Sequence, residues 1–390
     1  MDYRTVKEDI MKIEDRIRNS YTLMAYGDAL GFVYENTGKM DFGDFSGDWD
    51  EENKIHFPSG QWSDLTQLML ITTKSLLDDE GGLRIAIDYN RFSEELNYYQ
   101  YYRNGYPRHI IKAIESRELC KEEAYQKDVR GYGISRVGAI ILANKNFTQG
   151  LEETYKNICY FNKHPQVILT GLIIARIFYL LLEYGDFSRE ELLQRIKEFL
   201  IELNVKGLLE NNKELKYLLA FEQERVNYLI DLDRLIKEDK ITFVNNSWSC
   251  KNMLFGGLIN YWRILKLEGL YTEGIPSDDI KESLMLAYGL AGLNKDLNIK
   301  TLSNVTNLSF IDSMGEYTAK LRNYKVSKKP YVASGNDDNI FNLEVGKPFK
   351  HDIFNVSRIL EKTIRKGYLY LRLENKTGSY LLIKKDSSDC

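Results

Sequence analysis

The residues that could do chemistry fall in four short stretches. In "YGDALGFVYE", residues 26–35, the small residues Gly27, Ala29 and Gly31 let another backbone come close to Asp28, and Glu35 ends the segment near the mouth of that crowded zone. Glycine costs about 1 kcal/mol in a helix interior, so two of them call for tight packing or a binding surface. In "SGQWSDLTQLML", residues 59–70, Ser63, Asp64 and Thr66 cluster where an apolar helix begins. Capping by Ser63 and the helix dipole acting on Asp64 account for these two residues without further function. Three such oxygens at one helix start are also the kind of donor that a hard cation such as Mg²⁺ takes.

The third stretch, "RGYGISRVGAIILANKN", carries Gly131, Tyr132 and Gly133 ahead of an apolar helix. A loop of this kind can turn backbone N–H groups toward a ligand, although a lone G-x-G is more often a simple turn. In the fourth, "NKHPQVILTG", His164 and Pro165 precede the most apolar run of the chain, and His164 reads either as a ligand-facing group or as a structural hydrogen bonder.

Helices must position these residues. Apolar side chains recur at three- and four-residue spacing in "LMLITTKSLL", "VILTGLIIARIFYLLL", "ELLQRIKEFLIEL" and "MLFGGLINYWRIL". After about residue 300 the pattern changes. "VSKKPYVASGNDDN" is turn-rich, "DIFNVSRILEKTIRK" reads as a helix, and "YLYLRLENKTGSYLLIKK" alternates on either side of Glu-Asn-Lys-Thr-Gly as a β-hairpin does. The expected architecture is a mainly helical domain over residues 1–300 and a small α+β appendage over 301–390.

The composition, 43% hydrophobic and 28% charged, is that of a globular chain, and a net charge of −4 gives no reason to expect a nucleic-acid partner. The run at residues 167–182 is short for a bilayer span and contains Arg176, so a buried core helix is expected rather than a membrane segment. Cys120, Cys159, Cys250 and Cys390 are widely spaced and form no Cys-x-x-Cys or Cys/His group, which suits reduced thiols and a cytoplasmic setting.

Taken in order, the stretches resemble the ADP-ribosylglycohydrolase family over about residues 20–300. Gly27-Asp28-Ala29-Leu30-Gly31 with Glu35 is similar to its G-D-A-L-G segment, and Gly60, Trp62, Ser63, Asp64 and Thr66 to its G-x-W-[ST]-D-D-T motif, with Leu65 at the second Asp. Gly131-Tyr132-Gly133 approximates the G-N-G-x-x-M-R loop, with Arg136-Val137 where Met-Arg would stand, and "NKHP" is similar to the Thr-His-x-x-P-like element that follows. The last motif, G-G-D-x-D-T, is degraded. The preferred alignment places it at residues 291–296 with no Asp in register, and sliding it by one residue puts Asn294 and Asp296 on the two Asp positions; a second alignment ends it near Asp279.

The resemblance implies a compact all-α fold, a pair of Mg²⁺ ions, and hydrolysis of the glycosidic bond joining ADP-ribose to a protein side chain. It implies metal ligation by Ser63, Asp64, Thr66, Asn294 and Asp296. Glu35 and Asp64 would then be catalytic, and Asp28, Gly131, Tyr132, Gly133 and His164 would contact substrate. Leu65 cannot ligate, so at least one metal position is expected to be weakened or absent. Two functions follow: a hydrolase with one Mg²⁺ or none, or a silent member that binds ADP-ribose or an ADP-ribosylated protein.

Overall fold

A computed structural model describes residues 12–79, 84–116, 125, 127–130, 134–208, 215–238, 249–273, 275, 277–294, 304–333 and 339–385. Gly131, Tyr132, Gly133 and Asp296 lie outside the described residues.

Helix α1 (Ile13–Thr37) runs through the middle of the molecule and is buried almost continuously from Tyr21 to Val33. Glu14 and Asp15 sit in its first turn, where the dipole favours acids, and Gly38 stops it in the left-handed region with its N–H on the Tyr34 carbonyl. A hairpin of β1 (Phe45–Asp48) and β2 (Lys54–Phe57) leads to α2 (Asp64–Ser75). A second hairpin, β3 (Leu76–Asp79) with β4 (Arg84–Ile87), leads to α3 (Tyr89–Tyr102) and α4 (Arg108–Ser116). Both hairpins lie within the part of the chain that the periodicity assigns to helices alone.

The helical layers continue through α5 (Val137–Ala143), α6 (Phe147–Phe161), α7 (Pro165–Tyr184), α8 (Arg189–Glu202), the single turn α9 (Val205–Leu208) and α10 (Leu215–Glu238). They close with α11 (Cys250–Leu265), α12 (Ser277–Asn294) and α13 (Leu308–Arg322). Helix α7 holds the most apolar run. By length and composition it could cross a bilayer, but it is mostly buried among the other helices, with the Arg176 guanidinium over the Phe147 and Phe199 rings.

Helix α13 packs back on α1. Arg18 makes a bidentate pair with Asp312 at 3.0 and 2.6 Å, and the Tyr21 hydroxyl joins Thr73 of α2 and Thr318 of α13 at 2.8 Å each. The helical body thus reaches Arg322, and the boundary expected near residue 300 falls before a helix that belongs to it.

The C-terminal region is an antiparallel sheet in the order β5 (Pro348–His351), β6 (Asn355–Arg365), β7 (Tyr368–Asn375), β8 (Gly378–Lys385). The expected hairpin is β7–β8. The helix expected over "DIFNVSRILEKTIRK" is strand β6 instead. A register shift between Ile359 and Glu361 breaks its two-residue alternation, which leaves an apolar spacing that imitates a helical repeat. The inner face of the sheet (Ile359, Leu371, Leu373 and Leu382) shares a core with Phe92, Leu96, Tyr99 and Tyr102 of α3. The sheet therefore braces α3 from behind.

Candidate active site

The site begins where α1 and α12 cross. A Cβ on Gly27 would lie 2.3 Å from the Leu284 carbonyl oxygen, and one on Gly31 would lie 2.4 Å from the Lys281 Cα. Only glycine allows that approach, and it sets the first turns of α12 against the segment of α1 that carries Asp28 and Glu35. The start of α2 closes the third side.

Asp28 is fully buried and caps α2 from outside the helix. Its Oδ2 accepts the backbone N–H groups of Ser63 and Thr66 at 3.0 Å and the Thr66 hydroxyl at 2.6 Å. Its Oδ1 accepts the Ser63 hydroxyl at 2.5 Å. Ser63 also acts as the N-cap, its Oγ accepting the Leu65 N–H at 3.1 Å. Burial pushes the Asp28 carboxyl up from its ordinary range, against the pull of Lys281 and the two hydroxyls.

Asp64, in the first turn of α2, is almost fully buried and donates its backbone N–H to the Asn104 carbonyl at 2.8 Å. Its side chain meets a cation. The Lys281 ammonium lies 3.1 Å from Asp64 Oδ1 and 3.2 Å from Glu35 Oε2, and 5.7 Å above the Phe32 ring. Burial alone would lower the Lys281 pKa. The carboxylates of Asp64, Glu35, Glu282 and Asp28 outweigh it and hold the ammonium well above its usual range. Next to it, burial pushes Glu282 up to about 8, with Asp279 and Asp64 adding to the rise and Lys281 opposing it.

Asp28, Glu35, Ser63, Asp64 and Thr66 are therefore brought together as expected from the motifs. Asn294 is not. It ends α12, about 20 Å along the helix from Lys281, where its amide donates to the Tyr261 hydroxyl. The start of α12 instead brings Lys281 between the acids, with Glu282 beside it, so the end of the helix near the second alignment, not the Asn294 end, meets the site. Asp279 accepts the Ser249 N–H at 3.2 Å and so ties α12 to the start of α11.

His164 caps α7, its Nδ1 accepting the Gln166 N–H at 3.2 Å, and burial lowers its pKa. Its resolved hydrogen bond is thus structural. Arg136 is wholly buried rather than aimed at the acids. Its guanidinium bonds Asn157 Oδ1 at 2.7 Å and covers the Phe161 ring, and burial lowers it to about 9. A cleft of about 610 Å³ opens between α3 and the C-terminal sheet, lined by residues such as Tyr98, Tyr101 and Lys384. It shares no residue with the acid cluster.

The family model described as ADP-ribosylglycohydrolase matches residues 9–253, more than half of the chain. The chain belongs to the ADP-ribosylglycohydrolase family. The match takes in Asp28, Glu35, Ser63, Asp64 and Thr66 and ends before Lys281. A solved structure described as an "ADP-ribosylglycohydrolase-related protein complex" is similar in fold, with a TM-score of 0.50 at 16% identity over 80% of this chain and 99% of that one. No curated protein matches the chain.

The donor set of this ADP-ribosylglycohydrolase-family site does not fit a pair of Mg²⁺ ions. Leu65 stands at the second Asp position, fully buried and part of the main hydrophobic core. The hydroxyl protons of Ser63 and Thr66 point at Asp28, and the Ser63 oxygen already accepts the Leu65 N–H. The space between Asp64 and Glu35 holds an ammonium. Among the described residues, no group of three or more His, Cys, Asp or Glu side chains is arranged to hold a metal ion. The signal for Lys281 was present in the sequence as a charged pair, Lys281-Glu282, at the head of a helix whose following residues are small and apolar.

Proposed function

We propose that this chain is a family member that binds ADP-ribose, free or attached to a protein, without cleaving its glycosidic bond. One observation carries the reading: the two carboxylates that the resemblance makes catalytic, Glu35 and Asp64, are both engaged by the Lys281 ammonium, at 3.2 and 3.1 Å. A carboxylate held in such a pair is a poor base for activating water. The oxocarbenium-like transition state of glycoside hydrolysis also gains nothing from a metal pair that the donor set does not accommodate. What remains is an acid-lined site at the meeting of three helices, suited to hydroxyl groups such as those of a ribose. Reduced thiols at Cys159 and Cys250 are in keeping with a cytoplasmic protein.

Incubation with an ADP-ribosylated protein, with and without Mg²⁺, tests the reading together with calorimetry on ADP-ribose. The expected result is a binding isotherm and no released ADP-ribose under either condition. Release that depends on Mg²⁺ would restore the hydrolase, and absence of both release and binding would remove ADP-ribose as the ligand.

A further inference from the structure

We infer that the Lys281 side chain takes the place of a divalent cation, so that the acid site is assembled and neutralised by the chain's own ammonium. The inference rests on the family reading of the site for what belongs there, and on this chain's geometry for what has replaced it.

Three features of the geometry agree. First, the spacing is that of an ammonium. Its N–H groups reach oxygens near 3 Å, as here, whereas Mg²⁺ draws six oxygens to about 2.0–2.1 Å in an octahedron. The oxygens about Lys281 Nζ stand at 3.1 and 3.2 Å, about 1 Å beyond the reach of a Mg²⁺–oxygen bond. Second, the lysine is fixed at its root. Gly31 packs on the Lys281 Cα so closely that a Cβ there would come within 2.4 Å, and the short root-to-tip reach delivers the ammonium between Glu35 and Asp64. Third, the charges balance in a linked way. Leu65 removes a carboxylate where the family motif has its second Asp, and Lys281 adds a positive charge to the remaining acids. A site built for two divalent ions would be strongly anionic without them. With one acid fewer and one internal cation, it is stable with none, since buried charges persist only when paired.

The consequence is indifference to metals and chelators. Titration of Mn²⁺ into the full-length protein, followed by the electron paramagnetic resonance of free Mn²⁺, should show no uptake, and chelator should leave the thermal midpoint unmoved. L65D should still take up no Mn²⁺, because the ammonium remains. The double variant L65D/K281D, which exchanges the cation for a carboxylate, should gain uptake and a midpoint that rises with Mn²⁺. K281R, which keeps the charge, should stay silent. Uptake of Mn²⁺ between these acids by the wild-type protein, abolished by D64N, would overturn the inference. So would Mn²⁺ uptake by L65D, in which the ammonium remains. The wild-type and L65D measurements decide the matter even if the double variant fails to fold. Calorimetry of ADP-ribose in chelator, run in parallel, separates the two claims. Lost ADP-ribose binding with silent Mn²⁺ defeats only the ligand assignment, and Mn²⁺ uptake with intact ADP-ribose binding defeats only the lysine.

Discussion

Asp28 and the Asp64–Glu35 pair come from the same two helices, α1 and α2, yet the fold neutralises them by different means. Asp28 receives four neutral donors from the start of α2, two backbone N–H groups and two hydroxyls. Asp64 and Glu35 share one formal positive charge from α12. The first arrangement is part of the backbone geometry of a helix start, so it is inseparable from the fold. The second depends on a single side chain. The cap is thus tied to the fold, and the cation to one side chain.

The largest expected effect is on the capped acid. D28A strands the Ser63 and Thr66 donors in a dry interior and should cost about 3–5 kcal/mol in urea unfolding. A loss below about 1 kcal/mol would mean that the cap is not what holds α1 to α2. Next comes the paired cation. K281M leaves Asp64 and Glu35 facing each other and should cost about 2–4 kcal/mol, less than for a wholly buried pair because the Lys281 and Glu35 side chains retain 13% and 15% exposure. Adding E35Q should recover part of that loss, and a double-mutant cycle measures the share. Strict additivity of K281M and E35Q would break the comparison by showing that the two side chains do not sense each other.

A pH dependence is also expected. Glu282 has its folded-state pKa raised to about 8, above that of the unfolded chain, so the folded protein holds a proton that the unfolded chain gives up. Its contribution to stability is complete below the unfolded pKa of about 4.3 and is lost as pH rises through about 8. Unfolding free energy should therefore fall between pH 5 and 8.5, as a denaturant series at stepped pH would record, and E282Q should flatten that part of the profile. An unchanged slope in E282Q would assign the titration to another group.

Much of this was legible in the sequence. The order of the Gly27–Gly31 segment, Glu35 and the Ser63–Thr66 helix start led to the family and to five residues that the fold does bring together, because each motif is local and its spacing survives folding. The degraded last motif was not legible from spacing alone. Asn294 offered the right atom types but lies at the wrong end of α12, and a lysine is not sought where acids are expected. Arg136 also reads as a displaced site residue, yet its environment of Asn157 and Phe161 is assembled by tertiary packing that no local pattern records. Strand β6 misled for a simpler reason, since one bulge turns a two-residue alternation into something close to a helical one.

The most direct test of the lysine in the acid site is a crystal structure of the wild-type protein grown in Mn²⁺, with anomalous scattering recorded at the manganese edge. No anomalous peak is expected between Asp64 and Glu35, and the Lys281 side-chain density should reach both carboxylates. A peak within coordination distance of Asp64, with Lys281 displaced from it, would show that the site takes a metal ion and not the lysine.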